Sequence, residues 1–151
     1  MPWGQGAMRA TPLNMARAYS AIVNKGNYVP TRYTMNENVK PVKLLDEGSA
    51  SMLWQDLISA SGLSEFGKID FGGKTGTPER GASKTIFTNR VGDKRDRKND
   101  SWYAFVVKSS KGTNLAVALR IERTKRTSAE AKAWVRDMVM PVLKETGYVN
   151  Y

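Results

Sequence analysis

The sequence has no cysteine and no histidine among its 151 residues. Each absence removes a class of chemistry. Without thiols there are no disulfides and no thiolate nucleophile, although a cysteine-free chain fits either side of a membrane. With imidazole missing as well, a Ser-His-Asp triad, a Cys-His pair and the usual zinc centres are all excluded. Any metal would have to be a hard cation on carboxylates, and the acidic residues show no EF-hand spacing, so neither a metal nor a cofactor is expected. No apolar run approaches the roughly 20 residues needed to cross a bilayer, and no secretory leader is visible. Taken as it stands, the chain reads as soluble. Internal repeats and low-complexity tracts are missing too.

What is present is strongly basic. Lys and Arg number 24 against 14 Asp and Glu, a formal net charge of +10. That balance favours anionic partners: nucleic acid, an anionic membrane or wall polymer, or a carboxylate ligand. The hydrophobic share of 40% over this length can bury a real core, and suits one domain or a piece of a larger one.

The opening Met1-Pro2-Trp3-Gly4-Gln5-Gly6 is turn-rich and reads as the start of a cut domain. Thr11-Pro12 then supplies a capping hydroxyl and a first-turn proline, and Leu13, Ala16, Tyr19 and Val23 recur at helical spacing up to a Lys25-Gly26 stop. The apolar stripe is broad, so this helix is expected to be largely buried. Between Asn27 and Pro41 the two prolines at 30 and 41 leave only a loop with a short extended piece. Asp46 caps a second helix with Ala50, Leu53, Trp54, Leu57 and Ile58 on one face, ended by Gly62. A strand follows from Ile69 to Thr77. The stretch from Glu79 to Asp100 holds seven Lys or Arg and four Asp or Glu with almost no apolar periodicity, and reads as a long solvated loop. Two more strands, Ser101–Lys108 and Asn114–Glu122, are joined by a turn at 109–113. Trp102, Tyr103 and Phe105 read as sheet packing. Thr127 and Glu130 form a capping box for a last helix whose face is Ala131, Trp134, Val135, Met138, Val139 and Val142, with a kink or break expected at Pro141. Trp134 reads as helix-on-sheet packing. The sum is an α+β architecture: a three-stranded antiparallel sheet covered by a C-terminal helix, with preceding helices.

The stretch Gly72-Gly73-Lys74-Thr75-Gly76-Thr77 carries the most chemistry. Glycines let another backbone approach, the lysine is a point charge, and the hydroxyls can donate to an anion. A Walker-type phosphate loop is excluded by spacing, because position 68 is Lys where a glycine is required and Gly76 and Pro78 oppose a following helix. Lys-Thr-Gly is also a signature of penicillin-binding proteins and class A β-lactamases. Alone it arises easily by chance, and a glycine-rich edge strand with a solvated lysine is the plain alternative.

Four ordered segments outweigh that alternative. Gly4-Gln5-Gly6, the run from Thr11 to Ser20, the run from Gly72 to Thr77, and the run from Asp100 to Phe105 resemble, in order and spacing, the C-terminal part of penicillin-binding protein transpeptidase domains, nearer the class B branch. The resemblance covers essentially the whole of 1–151 and implies a partial β-lactamase/transpeptidase-like fold. It implies that the strand borders an acyl-transfer cleft, that Lys74 supplies positive potential beside the nucleophile, and that Thr75 and Thr77 hold the terminal carboxylate of a D-alanyl-D-alanine stem or of a β-lactam. It further implies that the Thr77 backbone N–H is an oxyanion donor and that Gly76 lets the acyl group approach. The implied partners are the peptidoglycan stem peptide, β-lactams, the remainder of the same domain and other cell-wall synthesis proteins, with no nucleic acid. The implied location is bacterial and extracytoplasmic, with a membrane anchor in the complete protein.

The family's Ser-x-x-Lys and Ser-x-Asn are both missing, since no serine has a lysine three residues on. Both normally precede the matching segments. This chain therefore reads as the half of the domain without the nucleophile, inactive alone. Pro78-Glu79-Arg80 directly after Thr77 departs from the family pattern and bears on the shape of the cleft rim. Two rivals stand beside this reading: a cationic nucleic-acid-binding module, and a non-catalytic scaffold of the same fold.

Overall fold

The computed structural model describes residues 10–32, 34–66, 69–78, 99–124 and 128–151. Helix α1 (Pro12–Val23) starts where the sequence places it, with the Asn14 N–H donating to the Thr11 hydroxyl at 3.1 Å. Lys25 and Gly26 follow in the left-handed region, at φ 55° and 81°. A side chain at Gly26 would run into the Leu45 carbonyl, so glycine is needed twice over at this turn. Strands β1 (Asn27–Tyr28) and β2 (Val42–Lys43) form a two-residue antiparallel ribbon at the ends of the irregular stretch. In α2 (Glu47–Ala60) the Asp46 carboxylate accepts from the Ser49 N–H at 2.8 Å.

The main sheet has the order β3-β4-β5, all antiparallel, with β3 at Phe71–Gly76, β4 at Asn99–Lys108 and β5 at Asn114–Thr124. Alternation along β4 divides its burial between two faces. Tyr103, Phe105 and Val107 point to one face and form the core with Phe71, Leu63, Phe66, Val149 and the C-terminal helix residues Ala131, Val135 and Met140. Phe71 stacks on Phe105 with ring centres 5.0 Å apart. Each large side chain removed from water here contributes roughly 1.5–3 kcal/mol. Ala104 and Val106 are buried on the other face, where α1 packs on β4 and β5 and α2 packs on β3. Gly72 touches α2 directly: a Cβ there would lie 2.7 Å from the Trp54 ring.

Two expectations about helix burial fail. In α1 only Ala21 is buried and Leu13 is 51% exposed, because no described residue covers its outer side. In the C-terminal helix Trp134, Met138 and Val142 are all half-exposed instead of packed on the sheet. The cause is a wide π turn at Val135–Val139 between α3 (Ala129–Trp134) and α4 (Met140–Glu145). The Met140 N–H reaches back to the Val135 carbonyl, five residues earlier. That extra residue shifts the phase, so Met140 becomes fully buried and Val139 and Leu143 pack against the core. The irregularity expected at Pro141 takes the form of this π turn, which ends two residues before the proline, and the chain continues as α4. Ser128 precedes α3 and makes no side-chain cap; Thr127, on which the expected capping box rests, lies outside the described residues. The basic loop at 79–98 and the opening segment at 1–9 lie outside them too.

Candidate functional site

The ends of β3 fix which of its backbone groups are free. The Lys108 N–H donates to the Asp70 carbonyl at 2.9 Å, and the Asp100 N–H to the Pro78 carbonyl at 3.1 Å. Between these bonds the register runs through Gly72↔Val106, Lys74↔Ala104 and Gly76↔Trp102. In an antiparallel ladder such pairs turn their N–H and C=O toward each other, while the residues between turn theirs away. Gly73, Thr75 and Thr77 therefore present their backbone groups to the outer edge. Among the described residues no strand pairs with that edge.

Side chains alternate on the same ribbon. Thr75 and Thr77 share one side and Lys74 takes the other, with the hydroxyl-bearing residues spaced by roughly 7 Å. Lys74 is exposed and forms no ion pair among the described residues. Thr75, Gly76 and Thr77 are half-buried. A Cβ on Gly76 would lie 3.6 Å from the Trp102 Cβ, an ordinary contact, so packing among the described residues does not require glycine there. A cation, two alcohols and two outward N–H groups thus line one open backbone edge. The arrangement can receive an extended peptide as an added strand and an anion at its end.

The strand's exit is held by groups that no sequence pattern announces. The Thr77 hydroxyl accepts the Ser128 N–H at 2.9 Å, and the Ser101 hydroxyl accepts the Ala131 N–H at 3.0 Å. Two hydroxyls from the sheet thereby receive N–H groups at the start of the C-terminal helix. Beside them Asp100 is buried, and its Oδ2 accepts from Arg120 Nε at 3.0 Å and Nη2 at 2.7 Å. Arg120 also pairs with Glu122 and lies over the Trp102 ring, 5.6 Å from its centre. Further along, the Tyr103 hydroxyl passes the bare Cα of Gly73 and donates to the Ser61 carbonyl at 2.8 Å. Burial pushes the Tyr103 phenol well above its usual ionisation range, with the Tyr19 phenol and the Glu65 carboxylate adding to the effect, so it remains a donor. A shallow hollow lined by Ile69, Asp70, Lys108 and Ser110 lies at the opposite end of β3 and holds none of the candidate groups. Among the described residues no three His, Cys, Asp or Glu side chains cluster as a metal site would need.

The sequence profile of the penicillin binding protein transpeptidase domain matches residues 1–140. The chain belongs to that family. The fold is also similar to that of a putative peptidoglycan glycosyltransferase from Atopobium parvulum, with a TM-score of 0.63 at 15% identity. The similarity covers 91% of this chain and 34% of that one, so the chain spans about a third of its structural neighbour. No curated protein matches significantly. The mixed α+β fold with its antiparallel sheet is thus that of a transpeptidase-family domain. The match takes in the glycine-rich strand and both threonines.

Proposed function

We propose that this chain forms one wall of the acyl-transfer cleft of a peptidoglycan D,D-transpeptidase. The observation that carries the reading is the outer edge of β3, unpaired among the described residues, where the outward N–H groups of Thr75 and Thr77 follow Lys74, which forms no ion pair among those residues. A stem peptide would lie along this edge as an extra strand. Lys74 would supply positive potential to the nucleophile, Thr75 and Thr77 would bind the terminal carboxylate, and the Thr77 N–H would meet the oxyanion as it forms. Gly76 leaves space for the acyl group. In the complete protein a serine from the remainder of the domain would attack the penultimate D-alanine carbonyl. The serine Oγ–C bond forms, the peptide C–N bond breaks, and D-alanine leaves with a proton. An acceptor amine then displaces the serine and gives the cross-link. A β-lactam, carrying a carboxylate in the same relation to its reactive carbonyl, would acylate the same serine.

Family membership favours this reading over a cationic nucleic-acid module. Transpeptidase domains of the family are extracytoplasmic. No helix among the described residues is long and apolar enough to cross a membrane. We assign the membrane anchor, like the nucleophile, to the complete protein.

The test is labelling of the complete protein by a fluorescent penicillin. Lys74→Ala and Thr77→Val should each slow it roughly ten- to hundredfold, the worth of a hydrogen bond to a charged group. The 151-residue chain alone should take no label. Wild-type labelling in Thr77→Val would overturn the carboxylate role, and a complete protein that never labels would instead support a scaffold.

A further inference from the structure

We propose that the backbone N–H of Ser128, at the head of the C-terminal helix, is a positioning group that aims the Thr77 hydroxyl at the substrate carboxylate. The proposal rests on the carboxylate role given to Thr77 above and adds what makes that role effective. A threonine hydroxyl has one proton and two lone pairs. With one lone pair taken by the Ser128 N–H at 2.9 Å, the hydroxyl proton cannot also point at that N–H, which leaves it free to donate to a ligand. Threonine is stiff about χ1, so a single fixed contact settles its rotamer. Accepting an N–H also polarises the O–H and makes it a better donor.

The amide itself is anchored. It is one of the helix's first N–H groups, which have no partner inside the helix. The same helix start is tied to β4 through the buried Ala131 N–H and the Ser101 hydroxyl. On the other flank, Pro78 is held by the Asp100 N–H. Thr77 thus sits between two fixed points, and its hydroxyl direction is set before any ligand arrives. Such preorganisation lowers the cost of binding the carboxylate.

The experiment deletes the N–H alone. A backbone ester at position 128, made by putting the α-hydroxy acid of serine in place of Ser128, exchanges the N–H for an oxygen and keeps the side chain; proline would not serve, because its Cδ would take the place of the hydrogen and collide with the Thr77 hydroxyl. In the complete protein, acylation by benzylpenicillin should fall about five- to tenfold in the backbone-ester variant. Ser128→Ala, the conservative variant that keeps the N–H, should acylate as wild type does. Acylation by benzylpenicillin methyl ester, which has no carboxylate to receive the hydroxyl, should be unaffected by the backbone ester, and in a Thr77→Val background the backbone ester should cause no further loss. An equal loss with the free acid and the methyl ester, or losses that add to that of Thr77→Val, would show a merely structural contact and overturn the proposal. Wild-type acylation in the backbone-ester variant with a loss in Thr77→Val overturns the positioning role and leaves the reading of the site standing. Wild-type acylation in both overturns that reading as well.

Discussion

Strand β3 divides after Gly73, and its glycines have different reasons on the two sides of the division. A Cβ on Gly72 would lie 2.7 Å from the Trp54 ring and 3.1 Å from the Ile58 backbone N. On Gly73 it would meet the Phe105 Cβ at 2.7 Å and the Ala104 carbonyl at 2.9 Å. Those glycines exist because α2 and β4 come too close for a side chain. Among the described residues a Cβ on Gly76 meets only the Trp102 Cβ, at ordinary contact distance, and its φ is not in the left-handed region. One half of the strand is bare so that the protein can pack on it. The other half, at Gly76, is bare with only ordinary contact among the described residues, as the proposed docking of a second backbone would require.

The largest effect expected is in the packed half. Gly73→Ala forces backbone against Cβ and should destabilise by about 1–3 kcal/mol, lowering the melting temperature of the chain by several degrees. Gly72→Ala should cost somewhat less, because part of the collision is with an indole ring that can tilt. Thermal melts of the two variants decide the matter. A Gly73→Ala protein that melts with wild type would erase the distinction between the halves.

Tyr103→Phe sharpens the comparison, because it removes the hydroxyl that crosses over Gly73. The Ser61 carbonyl then loses its donor, at a cost of about 1 kcal/mol. The sign of the pH dependence follows from burial. The folded phenol ionises above its ordinary value of 10.0, so the unfolded chain loses its proton first. Below that value the advantage of wild type over Tyr103→Phe is complete, and it shrinks as the pH rises further. A stability gap that widened in alkali would contradict the buried, proton-donating phenol.

How much of this was legible beforehand follows the range of each interaction. Thr11 and Asp46 cap their helices from three residues away, and the β4–β5 hairpin announces itself by alternation around a turn with Gly112 in the left-handed region. Local signals of this kind survive in a sequence. The phase of the C-terminal helix does not, because the π turn at Val135–Val139 adds a residue to one turn, and a strict 3.6-residue count then puts Trp134 on the wrong side. The position of Lys74 to Thr77 was readable from motif and spacing. The partner of the Thr77 hydroxyl was not, since Ser128 stands 51 residues away and contributes only a backbone N–H.

The smallest effect on stability is expected at Gly76, and there it is most informative. An alanine methyl at that position enters ordinary contact with Trp102, and the backbone angles suit any residue, so the melting temperature should stay within about one degree of wild type, the range of a neutral substitution. The Lys74↔Ala104 and Gly76↔Trp102 pairs that orient the outer edge remain as they are. The methyl would nevertheless occupy the space through which a carbonyl must approach the Thr77 N–H. In the complete protein, penicillin acylation should therefore drop roughly tenfold or more with no change in folding, the opposite pattern to Gly73→Ala. A fall in both quantities would place Gly76 with the packing glycines, and the open half of the strand would then begin one residue later than the structure divides it.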